Sequence, residues 1–174
     1  MTSVGSPRVR IRPARPEDAE GILDCLRVAF APYRRAYTPA AFRATVLTGP
    51  MLARRYRSMH LLVACEGPRV VGTVAIKPIS RGHAHLRGMA VVPAYQGRGL
   101  AARLLRAAVR HARARGAHRL TLETTEPLQR AARFYARHGF RSTGRYRTWG
   151  GMRLLSYELR IGSGPGSPSA TARA

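Results

Sequence analysis

The sequence predicts an α/β fold: one domain on a mixed, mostly antiparallel sheet of about six to seven strands, with helices on its faces. Three observations predict it. The elements read in the order β-α-α-β-β-β-α-β-α-β-β, with hairpin-like strand pairs early and late. Only one clear β-α-β crossover stands among them, around a glycine turn in mid-chain, so most strand neighbours must run antiparallel. The 174 residues, 45% of them hydrophobic, suffice for one core.

"RVRIRPAR" (Arg8 to Arg15) alternates and reads as the opening strand. Pro16 then starts a helix, with Glu17 and Asp18 in its first turn, where carboxylates suit the dipole. Ile22, Leu23, Leu26, Ala29 and Phe30 form its apolar face. Thr38 is placed to cap a second helix, "PAAFRATVLTG", which Gly49-Pro50 is expected to end. His60 to Gly67 and Arg69 to Ile79 are rich in β-formers and meet at a Gly67-Pro68 hairpin; Ala84 to Val92 is a further strand, stopped by Pro93. The next helix, about Arg98 to Arg115, buries Leu100, Ala101, Leu104, Leu105, Ala108, Val109 and Ala112 and is closed by Gly116. His118 to Thr125 is a strand and Pro127 to Gly139 a short helix. "FRSTGRYRTW" and "MRLLSYELRI" are a closing strand pair joined near Gly150-Gly151. The expected organisation is a flexible segment at 1–7, a folded domain at 8–160 and a disordered tail at 161–174, which has no periodicity.

The formal charge is +23, almost all of it arginine, since Lys77 is the only lysine. Such a field attracts phosphates and nucleic acid. The arginines are nevertheless spread along the whole chain, as in a sequence rich in Arg, Ala, Gly and Pro throughout, and no basic patch interleaved with aromatics points to base stacking. Carboxylates are scarce: Glu17, Asp18, Glu20 and Asp24 near the start, then only Glu66, Glu123, Glu126 and Glu158. Cys25 and Cys65 lack metal-ligand spacing, so no metal is expected; two reduced thiols fit a cytoplasmic protein. No apolar run approaches a membrane span, and "MTSVGSPRVRIRP" lacks the apolar stretch of a secretory signal.

"VVPAYQGRGLAARLL" (Val91 to Leu105) carries the chemistry. A helix start offers unpaired N–H groups and the positive end of a dipole, and glycines let a pyrophosphate approach the backbone. Gly97-x-Gly99-x-x-Ala102 fits a dinucleotide fingerprint, and Glu123 stands near the place of its acidic partner. Three features oppose that reading: Pro93 to Gln96 separate strand from glycine, antiparallel strands precede the unit, and no second mononucleotide half follows. A P-loop fails because no Gly-Lys-Ser/Thr occurs. The other frame, Gln96-x-x-Gly99-x-Ala101, is a different phosphate loop.

In that frame, "RGMAVVPAYQGRGLAA" (Arg87 to Ala102) resembles the acetyl-CoA signature of the GCN5-related N-acetyltransferases. "RFYARHGF" (Arg133 to Phe140) resembles that family's second signature, and "IRPARPEDAEGI" its opening strand and helix. The resemblance spans about Arg8 to Arg160 and implies a sheet whose central strand pair splays to leave a slot for a thioester. It implies that acetyl-CoA is the acyl donor. Its pyrophosphate would lie on the amides of about Arg98 to Ala102 (Arg98, Gly99, Leu100, Ala101 and Ala102), with Gln96 and Gly97 also in the cofactor site, and its pantetheine along Met89, Ala90 and Val91. Arg98 and Arg103 are within reach of further phosphates or are ordinary helix-surface arginines.

Acetyl transfer needs a neutral amine beside the thioester, stabilisation of an oxyanion and a proton for the leaving thiolate. By resemblance Tyr135 supplies that proton and Val91 N–H faces the thioester carbonyl; the alternative for Tyr135 is an aromatic anchor. The base is open between Glu123, His85, at the place where relatives often carry Glu, and a water relay. Many relatives have an Asn where this chain has about Leu128, so that cofactor contact is missing, with Thr124 or Thr125 as partial replacements. The expectation is an acetyl-CoA-dependent N-acetyltransferase acting on a small-molecule amine or a protein or peptide amine, without specific nucleic acid or membrane partners and with a homodimer left open. The alternative is a non-catalytic acyl-CoA or nucleic-acid binder on the same scaffold.

Overall fold

Val70 to Ile76 are buried without a break, as expected of a strand covered on both faces. That strand is the centre of the fold. The computed structural model describes residues 9–162. The elements are β1 (Arg10–Pro13), α1 (Ala19–Phe30), α2 (Pro39–Val46), α3 (Gly49–Ser58), β2 (His60–Glu66), β3 (Arg69–Ser80), β4 (His83–Val91), α4 (Leu100–Ala114), β5 (Arg119–Thr125), α5 (Gln129–Arg137), β6 (Arg141–Trp149) and β7 (Met152–Arg160). The seven strands form one sheet in the order β1-β2-β3-β4-β5-β7-β6. Every pairing is antiparallel except β4 with β5. The predicted mixed α/β architecture is therefore the observed one. The expected flexible ends fall outside the described residues, apart from Ile161 and Gly162. Ile161 belongs to the folded body: it is buried, and its N–H donates to His118 O at 2.9 Å.

Helices cover both faces. A register shift in the β2–β3 ladder at Ala64/Cys65 inserts one residue into β3 and turns Val70 and Gly72 to opposite sides. Val70 meets α1 at Gly21, where a Cβ would collide with its side chain, while Gly72 lies beneath Leu104 of α4. α1 is tied to the first strand by Asp18. This buried carboxylate accepts from Arg12 Nη1 and Nη2 at 2.7 and 2.8 Å and from Arg15 N–H at 2.7 Å. Cys25 and Cys65 are free, buried thiols.

Two features shape the site. The β4–β5 ladder runs only from His83↔Arg119 to Leu86↔Leu122, although β4 continues to Val91 and β5 to Thr125. Beyond Leu86 the strands part, as the resemblance implied. The parting coincides with a bulge in β4: its register against β3 slips between Thr73 and Ala75, and Gly88 has φ +56°. The second feature is a cluster of Tyr37, Ala41, Phe42 and Met152, with Phe30, Tyr33 and Trp149 against it. It clamps α2 onto the β6–β7 turn, where Gly150 sits so close to Ala41 that a Cβ would crowd it.

The structure corrects the sequence-based reading at one element and several boundaries. Gly49-Pro50 does not simply end the second helix; it opens a third, α3. α2 stops at Val46 because Leu47 turns to φ 61°. Pro50 then stands in the first turn of α3, where its missing N–H costs nothing. α3 was hidden because only Leu52 on it is fully buried, among Arg54, Arg55 and Arg57. β1 is shorter than Arg8 to Arg15, and α4 begins at Leu100, leaving Arg98 in the turn between two left-handed glycines.

Candidate active site

The slot between β4 and β5 opens into two clefts that share Phe30, Met89, Leu128, Ala131 and Tyr135. The first, of about 370 Å³, lies against the start of α4 and is also lined by Ala90, Val91, Gln96, Gly97, Gly99, Ala101 and Ala102. Gly97 and Gly99 both have φ +74°, a conformation that glycine adopts without strain. A Cβ on either would meet no protein atom within 4 Å, so internal packing does not require these glycines. The first backbone bond of α4 runs from Arg103 N–H to Gly99 O at 3.1 Å, which leaves the N–H groups of Gly99 to Ala102 without helical partners, the arrangement in which helix starts accept anions. Val92 N–H donates to Val71 O at 3.0 Å, so strand alternation turns Val91 N–H to the other edge, into the slot.

Gln96 plays a part that the sequence did not reveal. Its Nε2 donates to Val91 O at 2.8 Å and its Oε1 accepts from Arg130 at 3.3 Å. It thereby pins the glycine turn to the strand and to α5. Arg98 is exposed in the turn, while Arg103 donates to Val9 O at 2.9 Å and so braces the N-terminal strand.

The second cleft, of about 140 Å³, is bounded by α2, α3 and the β6–β7 hairpin and lined by Arg55, His85, Arg87, Glu123, Arg147 and Trp149, among others. Glu123 is held by Arg147: Nε donates to Oε1 at 2.8 Å and Nη2 to Oε2 at 2.6 Å. Burial by itself would raise the Glu123 carboxyl, but Arg147, with His85 and Arg87, holds it below its ordinary value. Burial pulls the His85 imidazole down to about 4, with Arg87 adding to the effect and Glu123 opposing it. His85 Nδ1 lies 2.8 Å from Thr121 Oγ1, which is also 2.8 Å from His83 Nε2. Thr124 Oγ1 donates to Thr125 O at 3.1 Å, and Thr125 Oγ1 lies 2.6 Å from the Tyr37 hydroxyl. Thr124 lines this second cleft and not the first.

Tyr135 stands where the clefts meet. Its ring packs edge-on between Phe134 and Phe140, at centroid distances of 5.3 and 5.6 Å. Burial pushes its phenol above the ordinary value, so the hydroxyl keeps its proton throughout the physiological range.

The acetyltransferase (GNAT) family model matches residues 22–140, more than half of the chain. The chain belongs to the GNAT acetyltransferase family. No curated protein sequence matches it. Several solved structures share the GNAT fold. PaiA N-acetyltransferase from Thermoplasma acidophilum, in complex with coenzyme A, superposes with a TM-score of 0.75 at 18% identity, covering 88% of this chain and 99% of that one. The ribosomal-protein-S18-alanine N-acetyltransferase from Escherichia coli gives 0.72 at 20% identity, covering 93% and 99%. A GNAT-family acetyltransferase from Elizabethkingia anophelis with acetyl-CoA bound gives 0.64 at 15% identity, covering 88% and 98%.

Within this GNAT domain the structure gathers Met89 to Val91, the glycine turn and Tyr135 around the first cleft, and His85, Glu123 and Thr124 around the second. Arg55, Tyr37, Arg147 and Trp149 escaped the sequence reading. Arg147 and Trp149 sit on a strand that the sequence reading included, but nothing local shows which carboxylate Arg147 meets. Arg55 lies on the helix that was missed. Among the described residues no group of three His, Cys, Asp or Glu could hold a metal ion, and no helix is long and apolar enough to cross a membrane.

Proposed function

We propose that this GNAT domain is an acetyl-CoA-dependent N-acetyltransferase that passes the acetyl group directly to an amine. The observation that carries the reading is the pair of left-handed glycines at the start of α4, beside the slot that ends at Tyr135. Bound acetyl-CoA supplies an activated acyl group as its thioester. The turn amides of Gly97 to Ala102 hold pyrophosphate, and the slot edge of Met89 to Val91, apart from the Val91 carbonyl that Gln96 holds, pairs with the pantetheine amides. Val91 N–H stabilises negative charge on the carbonyl oxygen, and the Tyr135 hydroxyl gives its proton to the departing thiolate.

His85 is the better of the two base candidates. Glu123 has both oxygens committed to Arg147, so neither faces an incoming amine unpaired. A neutral imidazole with Nδ1 bonded to Thr121 leaves Nε2 free to accept the amine proton. Glu123 then serves to anchor Arg147 beside the cleft. The acceptor is a small amine or a protein or peptide amine.

Isothermal calorimetry with acetyl-CoA and NAD tests the reading, coupled to an amine screen that follows CoA release. Acetyl-CoA is expected to bind and NAD not to bind. Absence of acetyl-CoA binding, or clear NAD binding, ends it.

A further inference from the structure

The second cleft has an unbalanced charge. Arg55, Arg87 and Arg147 line it, and among the described residues Glu123 is the one carboxylate on its wall. Both oxygens of Glu123 are already used by Arg147. Arg55 reaches in from α3, and its side chain makes no hydrogen bond or ion pair with any described residue. Its guanidinium rests on the β4 bulge, so close to Gly88 that a Cβ there would overlap Nη1. The φ of +56° at Gly88 is one that glycine adopts without strain, and the missing Cβ leaves the head group where it lies. The position is the parting of β4 and β5, next to the slot where the amine must arrive.

A guanidinium held in a partly dry cleft without a counter-ion is costly, and the natural compensation is an anion with planar acceptor geometry. Burial pulls Arg55 down to about 10, and Arg87 adds to this; the group is still charged at neutral pH. Across the cleft, Phe30, Tyr37, Trp149 and Leu154 form an apolar wall. A ligand filling this space offers an amine to the slot, a carboxylate to Arg55 and an apolar body to the wall.

We infer that the acceptor is an aminocarboxylate, an amine with a carboxylate a few bonds away, and that Arg55, supported by Arg87, is the residue that selects it. This rests on the transferase reading and names its substrate class. The carboxylate belongs either to a free amino acid or to an acidic residue at a peptide N-terminus, and the assay separates these sources.

The test uses the full chain with saturating acetyl-CoA. The acceptors are L-phenylalanine against L-phenylalaninamide, and Glu-Ala-amide against Gln-Ala-amide. In at least one pair the carboxylate member is expected to have a kcat/KM roughly tenfold or more above its neutral counterpart, equivalent to about 1.4 kcal/mol. Arg55→Gln should bring that ratio towards one, chiefly through KM, while Arg55→Lys keeps part of it. Titration of N-acetyl-phenylalanine and N-acetyl-phenylalaninamide into the protein–CoA complex gives the same comparison without turnover. The inference is overturned if neither pair nor the product titration distinguishes carboxylate from amide in the wild type. It is equally overturned if the preference survives intact in folded Arg55→Gln. Failure of acetyl-CoA to bind the wild type sinks the transferase reading instead, so the two failures are told apart.

Discussion

Replacing His85 by Gln turns the proposed base into a quantitative test. The imidazole is half-buried, hydrogen-bonded to Thr121 and pulled from 6.5 to about 4, burial being the main cause. A folded-state pKa below the unfolded one means that the unfolded chain takes up a proton first as the pH falls. The contribution of His85 to stability is therefore fully present above about 6.5 and is lost between there and about 4. Linkage puts the loss at about 2 kcal/mol by pH 5 and about 3 kcal/mol by pH 4. Glutamine cannot take up that proton, so its pH slope lacks this part. Urea unfolding of wild type and His85→Gln at pH 7, 6 and 5 measures the difference between slopes, in which the other titrating groups cancel. Parallel slopes would refute the burial argument, because the imidazole would then titrate as freely in the folded state as in the unfolded. The same shift predicts a kcat/KM profile without an enzyme-derived limb near pH 6.5, since the base is already neutral there.

Tyr135→Phe keeps the packing against Phe134 and Phe140 and deletes only the hydroxyl; turnover should fall roughly 10- to 10³-fold with acetyl-CoA affinity little changed, and unchanged turnover in a steady-state assay would make the residue an aromatic anchor. Gly99→Glu adds bulk and negative charge at φ +74° and should abolish acetyl-CoA binding by calorimetry; retained affinity would move the site elsewhere. Asp18→Asn removes the charge paired with Arg12 and should cost about 2 kcal/mol in urea unfolding at pH 7. Arg12 holds the Asp18 carboxyl below its ordinary 3.8, so this stabilisation is present above that value and lost as the pH falls beneath it. At +23 the chain should bind nucleic acid at low salt but release it, without sequence preference, between roughly 50 and 200 mM, while acetyl-CoA stays bound; tight, sequence-selective binding in a filter assay at the higher salt would favour the binding-protein alternative.

The parts of the site that were legible in the sequence are those built from consecutive residues. Two glycines before a helix of alanine, leucine and arginine specify a left-handed turn and a row of free N–H groups whatever surrounds them, because φ preference and unpaired helix-start donors are local properties. The order of strands and helices, α3 apart, is legible for the same reason. Tyr135 was found through its own short stretch, although its place between two clefts was not. α3 was not legible, because one buried leucine among arginines leaves no apolar stripe to read.

Local sequence thus determined the fold class, the glycine turn and the aromatic beside the slot. Tertiary structure alone decided what the charged groups can do. Glu123 became an anchor because Arg147, 24 positions later in the chain, reaches both of its oxygens. His85 became neutral because the strands and helices around it exclude water, and the Arg55 side chain, resting on the bulge at Gly88 at the mouth of the slot, meets no carboxylate among the described residues. Proton affinity and ion pairing depend on distance and burial summed over neighbours from the whole chain. In a sequence so rich in arginine, no run of adjacent residues reveals which guanidinium meets a carboxylate and which is left to meet a substrate.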